Sequence, residues 1–354
     1  MNNHQSGGMH QPPVDHIYVN GYGFVSEDPW LQENRAIWKT SSIIGFILLV
    51  LLITPSFLAY PVQILLNALY APFLYLAGDS YLTYGLQASY LQMYELLLYL
   101  GSMLIALCLG VCLLRPKRRR TVSMFRRPSA SLTASGVAIA MAVWVIFYLS
   151  GSLFSYALQE FRVLSLSPDT SLPSTPAATF ILLMRILILP ALLEEILFRG
   201  IILRSLRQFG DSFAIVASSV TFSVIHYTIT RDIRGFALGL VLAYFVIRTG
   251  SVWTAILMRF ASLLLSVAID CLPHLFPGIV TPILQNILFL AVLAIGLLSF
   301  MQFCRNEGNP FILSSGHTAT KISRKFARFF GNVIMVIALL LWGIQVIGYL
   351  QFIG

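Results

Sequence analysis

Two adjacent carboxylates and an arginine stand in a stretch of chain otherwise as apolar as lipid. Residues 194–199 read Glu-Glu-Ile-Leu-Phe-Arg, between Phe180-Ile-Leu-Leu-Met-Arg-Ile-Leu-Ile-Leu-Pro-Ala-Leu-Leu193 and Gly200-Ile-Ile-Leu203. A carboxylate at membrane depth costs roughly 2.5–3.5 kcal/mol or more unless it is paired or faces water, so an acid in this setting marks a functional site by default. Glu195 and Arg199 are four residues apart, share a helix face and can neutralise each other within the helix. Glu194 is rotated about 100° away by the helical period. It must be satisfied by water or by another helix. A carboxylate that holds water in a dry site is a general base.

The following segment supplies a partner. Residues 222–226 read Phe-Ser-Val-Ile-His, and of the six histidines His226 alone falls well inside an expected span. Counted from the ends of their spans, Glu194 and His226 differ in depth by about 6 Å at 1.5 Å per residue. They can meet at mid-depth around a bound water. A third polar group follows Arg248-Thr-Gly-Ser-Val-Trp-Thr-Ala-Ile256 at Arg259. Ser262, Ser266 and Asp270 continue from it on one helix face, which must look into the bundle or into a water-filled cavity. Two roles for Arg259 stand open. It can act as an electrostatic clamp on a developing oxyanion, or it can pair with Glu194 and silence it.

The elements that must hold these residues are membrane helices. The chain has 354 residues, is 57% hydrophobic and only 10% charged, and has a mean hydropathy of +0.81. Soluble chains carry about 25% charged residues. Apolar runs of about 18 residues or more recur, so the expected fold is all-α, a polytopic membrane protein with eight or nine transmembrane helices. The spans are placed at about 42–60, 91–114, 132–156, 179–204, 212–229, 235–249, 252–271, 279–303 and 332–352, with 61–77, which holds Pro61 and Pro72, as a re-entrant or interfacial piece. The organisation that follows is a flexible polar tail over 1–40 and N-terminal helices over 41–156 with a basic loop at 115–130. A catalytic core over 179–271 comes next, then C-terminal helices over 272–354 with a basic loop at 304–331.

No Lys or Arg lies between Lys39 and Arg115, whereas Arg115-Pro-Lys-Arg-Arg-Arg120, Arg126, Arg127, Arg204, Arg207 and Arg305 through Arg328 fall on one side if the spans alternate. That side is cytoplasmic, and with it the N-terminus. The net charge of +9 is thus a topology signal and does not indicate nucleic acid; the basic loops also suit anionic lipid. The tail has no signal-peptide pattern. Its His4, His10 and His16 are spaced by six, which suits no helical face. Cys108, Cys112, Cys271 and Cys304 show neither metal nor disulfide spacing. Gly235, Gly239 and Ala243 form a small-residue stripe for close helix packing. Arg185 is expected to snorkel at the outer end of its span. No His-Glu-x-x-His occurs, and one intramembrane histidine is too few for a usual zinc site, so no cofactor is expected and a metal is only weakly supported.

Glu-Glu-x-x-x-Arg followed by Phe-x-x-x-His, then by Gly-Ser-Val-Trp-Thr-Ala-Ile, resembles the CPBP family of CAAX-processing and bacteriocin-related intramembrane proteases, also called Abi. The resemblance covers about 179–270. It implies that Glu194 is the catalytic acid/base and that His226 helps to hold the water. Glu195 and Arg199 are then supporting residues. The third element departs from the family pattern. The family's His, six residues after the tryptophan, is Arg259 here, and its Asn four residues on is Leu263. In the family those two residues are thought to stabilise the oxyanion. The leading expectation is a glutamic-type intramembrane endopeptidase that cuts a membrane-anchored peptide, with prenylated CAAX peptides the family's best-known target. The alternative is a non-catalytic relative, a membrane scaffold or a bacteriocin-immunity-type protein. A transporter stands third, since no inverted repeat is evident.

Overall fold

The computed structural model describes residues 16–19, 23–26, 28–76, 80–114, 124–165, 172–173, 175–307, 313 and 319–352. The basic run 115–120, the tail histidines His4 and His10 and most of the loop before Thr320 lie outside them. The helices are α1 (Pro29–Leu76), α2 (Ser80–Leu114), α3 (Ala130–Glu160), α4 (Pro176–Phe209), α5 (Asp211–His226), α6 (Ile229–Thr249), α7 (Val252–Leu275), α8 (Val280–Glu307), α9 (Ile322–Phe330) and α10 (Val333–Gly348). Two short antiparallel pairs accompany them: β1 (His16–Val19) with β2 (Gly23–Ser26), and β3 (Val163–Ser165) with β4 (Leu350–Phe352).

This is an all-α polytopic membrane fold. The stretches expected to span the bilayer are helical over most of their length, but among the described residues six helices are long and apolar enough to cross, or seven if α9 and α10, bent by 69°, make one broken span. The expectation of eight or nine spans is therefore not confirmed, for two physical reasons. A helix of the length of α5 rises only about 24 Å, short of the ~30 Å hydrocarbon core. Helix α6 carries Arg231, Asp232, Arg234 and Arg248, too much charge for an independent span. The segment 61–77 is not a separate re-entrant piece either. Helix α1 runs unbroken through Pro55 and Pro61 to Leu76. Membrane helices tolerate proline because neighbouring helices and local adjustments satisfy the freed carbonyls. Helix α1 also begins at Pro29, inside the stretch expected to be a polar tail.

Packing follows the small residues. Helix α1 lies along α2 and α10, α3 along α6, α7 and α8, and α5 along α6. At Gly45 a Cβ would stand 2.8 Å from the Met335 backbone nitrogen, so α1 and α10 touch backbone to backbone. The stripe on α6 works in the same way against α5. A Cβ on Gly239 would meet Ser219 at 3.1 Å, one on Gly235 would meet the His226 ring at 3.1 Å, and Ala243 is fully buried. Polar bonds finish the α1 contact: Asn332 Nδ2 donates to Ser42 Oγ at 2.8 Å, and the Ser41 hydroxyl donates to the Phe329 carbonyl. This arrangement brings α2, α4, α5 and α7 around one interior point.

Candidate active site

Helix α4 opens as an ordinary α-helix. The Thr175 side chain accepts the Ala178 N–H and Pro176 occupies the first turn, where its missing N–H costs nothing. From Met184 the winding loosens, and Met184–Ile188, Pro190–Glu194 and Ile196–Ile202 are π-helical. Pro190 lacks the donor that an α-helix needs at that position. The i→i+5 bonding of a π-turn spreads each turn over more residues, and such turns occur often at functional sites. The strict 3.6-residue period behind the sequence reading therefore does not hold across 184–202.

The division of labour between the two acids is nevertheless visible. Arg199 Nη1 donates to Glu195 Oε1 at 2.8 Å, with side chains only 1% and 0% exposed. Arg199 Nη2 reaches the Gly239 carbonyl at 3.4 Å and its guanidinium lies 4.0 Å from the centre of the Phe222 ring. The pair thus ties α4 to α5 and α6. Glu194 points elsewhere. Its Oε2 accepts from Arg259 Nη2 at 3.0 Å, its Oε1 accepts from the Tyr99 hydroxyl at 3.3 Å, and the residue is 6% exposed. A cavity of about 210 Å³ adjoins it, walled by Pro55, Tyr99, Ser102, Ile225 and Tyr227.

His226 closes the last turn of α5. Its Nδ1 faces the Ser223 carbonyl at 3.2 Å, and its Nε2 faces Arg259 Nη2, also at 3.2 Å. Those partners assign a neutral ring: Nδ1–H donates to the carbonyl and Nε2 accepts from the guanidinium. The Phe222 ring meets His226 edge-on at 5.0 Å and lies 5.1 Å from the Arg259 guanidinium. Tyr227, next in the chain, has φ +61°. A non-glycine residue in this left-handed region is strained, and such strain concentrates at functional sites. The turn lets α6 start at once and sets Gly235 against the imidazole.

Arg259 sits on α7, whose start is fixed by Ser251. That side chain accepts the Trp253 N–H at 3.3 Å and donates to the Arg126 carbonyl at 2.6 Å. Arg259 is 7% exposed, and its Nε has no partner. Leu263, one turn on, offers no donor. All five residues singled out in the sequence therefore meet in one cluster. One guanidinium nitrogen bridges Glu194 and His226, at the place where a water was expected. Of the two roles open to Arg259, the pairing with Glu194 is the contact observed.

Sequence reasoning missed Tyr99. It lies on α2, 95 residues before its partner, and belongs to no motif. Its one signal is a hydroxyl in the middle of an apolar helix, which needs a partner when buried. Arg185 does not simply snorkel. It pairs with Glu95 at 2.7 Å and reaches Gln92 at 3.4 Å. Among the described residues no group of three His, Cys, Asp or Glu side chains is placed to hold a metal ion. Cys108, Cys112, Cys271 and Cys304 are all free thiols.

Compared with known proteins, residues 176–265 match a family described as type II CAAX prenyl endopeptidase, Rce1-like, in agreement with the CPBP resemblance. No curated protein and no solved structure matches the chain.

Proposed function

We propose that this integral multi-pass membrane protein, whose segment 176–265 matches a family of CAAX-type intramembrane endopeptidases, is itself a glutamic-type peptidase acting on a membrane-anchored peptide. One observation carries the reading: Glu194 borders a cavity large enough for water while two donors from other helices, Tyr99 and Arg259, aim at it.

The chemistry follows from these groups. The Glu194 carboxylate takes a proton from a cavity water as the water oxygen bonds to the scissile carbonyl carbon. The carbonyl oxygen becomes an oxyanion, and the Arg259 guanidinium, shifted from the carboxylate toward the substrate, stabilises it. The Tyr99 hydroxyl is the second donor in reach. Glu194 then returns the proton to the amine nitrogen as the C–N bond breaks. His226, neutral and fixed by Ser223, accepts from the same Arg259 nitrogen through Nε2 and so shares the cation with Glu194. Glu195 and Arg199 hold α4 in place. The test is peptide release from membranes that contain the protein: Glu194→Gln is expected to abolish it at unchanged membrane abundance, and release that persists refutes the reading.

A second reading draws on the Arg259–Glu194 contact itself. A carboxylate clamped by a cation in the resting state suits a non-catalytic relative that serves as a membrane scaffold. Restoring the family pattern with Arg259→His and Leu263→Asn separates the two. A gain of peptide release from an otherwise inert protein supports the scaffold for the natural chain.

A further inference from the structure

Polar groups are distributed unevenly around Glu194. Toward the ends that carry Lys39, Arg204, Arg207 and Arg305, α4 continues through Leu197, Phe198 and Ile202, each 0% exposed, and α7 leads back through Met258 and Ala255, also 0% exposed. The buried Glu195–Arg199 pair sits inside this plug. The opposite direction is open. Helix α5 stops short at His226, and His226 and Tyr227 are both partly exposed. Beyond them α3, α6 and α7 enclose a cavity of about 480 Å³ whose walls include Gln159, Arg231, Arg234, Ser266 and Asp270.

We propose that the catalytic centre is served from the face opposite the basic loops, and that this cavity is a subsite for a carboxylate of the substrate peptide. The inference rests on the proteolytic reading above. Arg234 is the anchor. Its guanidinium lies over Trp144 at 5.1 Å and Tyr148 at 5.8 Å, and no carboxylate stands within ion-pair distance among the described residues. An arginine held flat on aromatic faces keeps its edge donors in the fork geometry that fits a carboxylate with two hydrogen bonds. Arg231 adds a second cation to the wall, and Asp270 is the one acid there, so the cavity is net positive. Its position fits peptide cleavage. Ser266 in its wall lies seven residues beyond Arg259 on α7, about 10 Å along the axis at 1.5 Å per residue, and about three residues of extended chain span that distance. The substrate class is then a peptide presented on the side away from the basic loops, extracytoplasmic by the distribution of Lys and Arg. A free C-terminus and an acidic side chain are the two sources of that carboxylate.

The test uses the full chain with its four cysteines replaced by serine. Ser266→Cys is introduced into one copy and Ser205→Cys, near the basic face, into another. Intact cells are treated with a membrane-impermeant maleimide. The Ser266→Cys protein is expected to label at once, and the Ser205→Cys protein only after permeabilisation. The reverse pattern overturns the proposal. Three hexapeptide probes follow: one with a free C-terminal carboxylate, its C-terminal amide, and the amide with one internal glutamate. The first is expected to slow labelling at Ser266→Cys, and the plain amide is not. Protection by the third assigns the carboxylate to a side chain as well. Adding Arg234→Gln is expected to raise the concentration needed for protection by about 10–100-fold, the loss of a charge-assisted hydrogen-bond pair. Equal protection by acid and plain amide, or indifference to Arg234→Gln, overturns the subsite. Protection that survives in a protein that releases no peptide removes the proteolytic reading and leaves the subsite standing. Glu194-dependent release without protection does the opposite.

Discussion

Removing Glu195 should unfold this protein more readily than removing its neighbour. The Glu195→Ala substitution leaves Arg199 at 1% exposure with no carboxylate. Breaking one side of a buried pair costs about 3–5 kcal/mol. Two contacts soften the loss: the Phe222 ring 4.0 Å below the guanidinium and the Gly239 carbonyl at 3.4 Å. A cation–π contact offsets about 1 kcal/mol, which leaves a net cost of about 2–4 kcal/mol. The Glu194→Ala substitution also orphans a cation, Arg259, but that cation keeps His226 Nε2 at 3.2 Å and borders a site where water can replace the carboxylate. Its cost is expected near 1–2 kcal/mol, the price of one unmade hydrogen-bond partner. Both variants and the double substitution Glu195→Leu with Arg199→Met would be compared by denaturant unfolding in detergent and by membrane abundance. The double substitution is expected to recover most of the loss, because apolar replacement of a whole buried pair is often neutral. Equal destabilisation by Glu194→Ala, or a double variant no better than Glu195→Ala, would refute the assignment of Glu195 and Arg199 to structure.

Four further outcomes are expected. Arg259→Ala should lower peptide release by about 10²–10³-fold, as for loss of one oxyanion donor, with unchanged abundance; an increase would show that the arginine mainly restrains Glu194. Tyr99→Phe should keep the fold and lower turnover by about tenfold, the worth of one hydrogen bond, read as kcat at saturating peptide. Gly235→Ala presses a methyl group to 3.1 Å from the imidazole, so it should reduce activity much more than melting temperature. Gly45→Ala places its methyl against α10 backbone and should do the reverse, destabilising by about 1–3 kcal/mol through overpacking.

The cluster was legible in the sequence because its members advertise their cost. An acid, a histidine or an arginine in apolar sequence needs a reason, and Glu194, Glu195, Arg199 and His226 stood out on that ground, whereas Arg259 came into view through the family pattern, at the place of its histidine. Tyr99 escaped because a tyrosine in a membrane helix has many innocent placements, and its partner lies on a distant helix. The looseness of α4 was equally hidden. Pro190 signals a break in α-helical bonding, but the choice among kink, bulge and π-winding depends on what packs around it. The span count failed where length and charge conflict. Helices α5 and α6 read as spans by position, yet one is short and the other carries three charged residues in its first two turns. Those features belong to the site, since a short α5 is what leaves His226 below the surface.

The contact between the first and last long helices has a consequence during synthesis. Ser41 on α1 bonds the Phe329 carbonyl, 288 residues later. At about 5–20 residues per second, α1 waits on the order of 15–60 s in the bilayer before the surface that covers it exists. During that interval Gly45, Ser41 and Ser42 present a narrow, partly polar flank to lipid and to any other nascent helix. Membrane chaperones and quality-control proteases would meet the chain in this state. A slowed ribosome over 250–320 should therefore lower the yield of the protein without altering a single contact in its finished form.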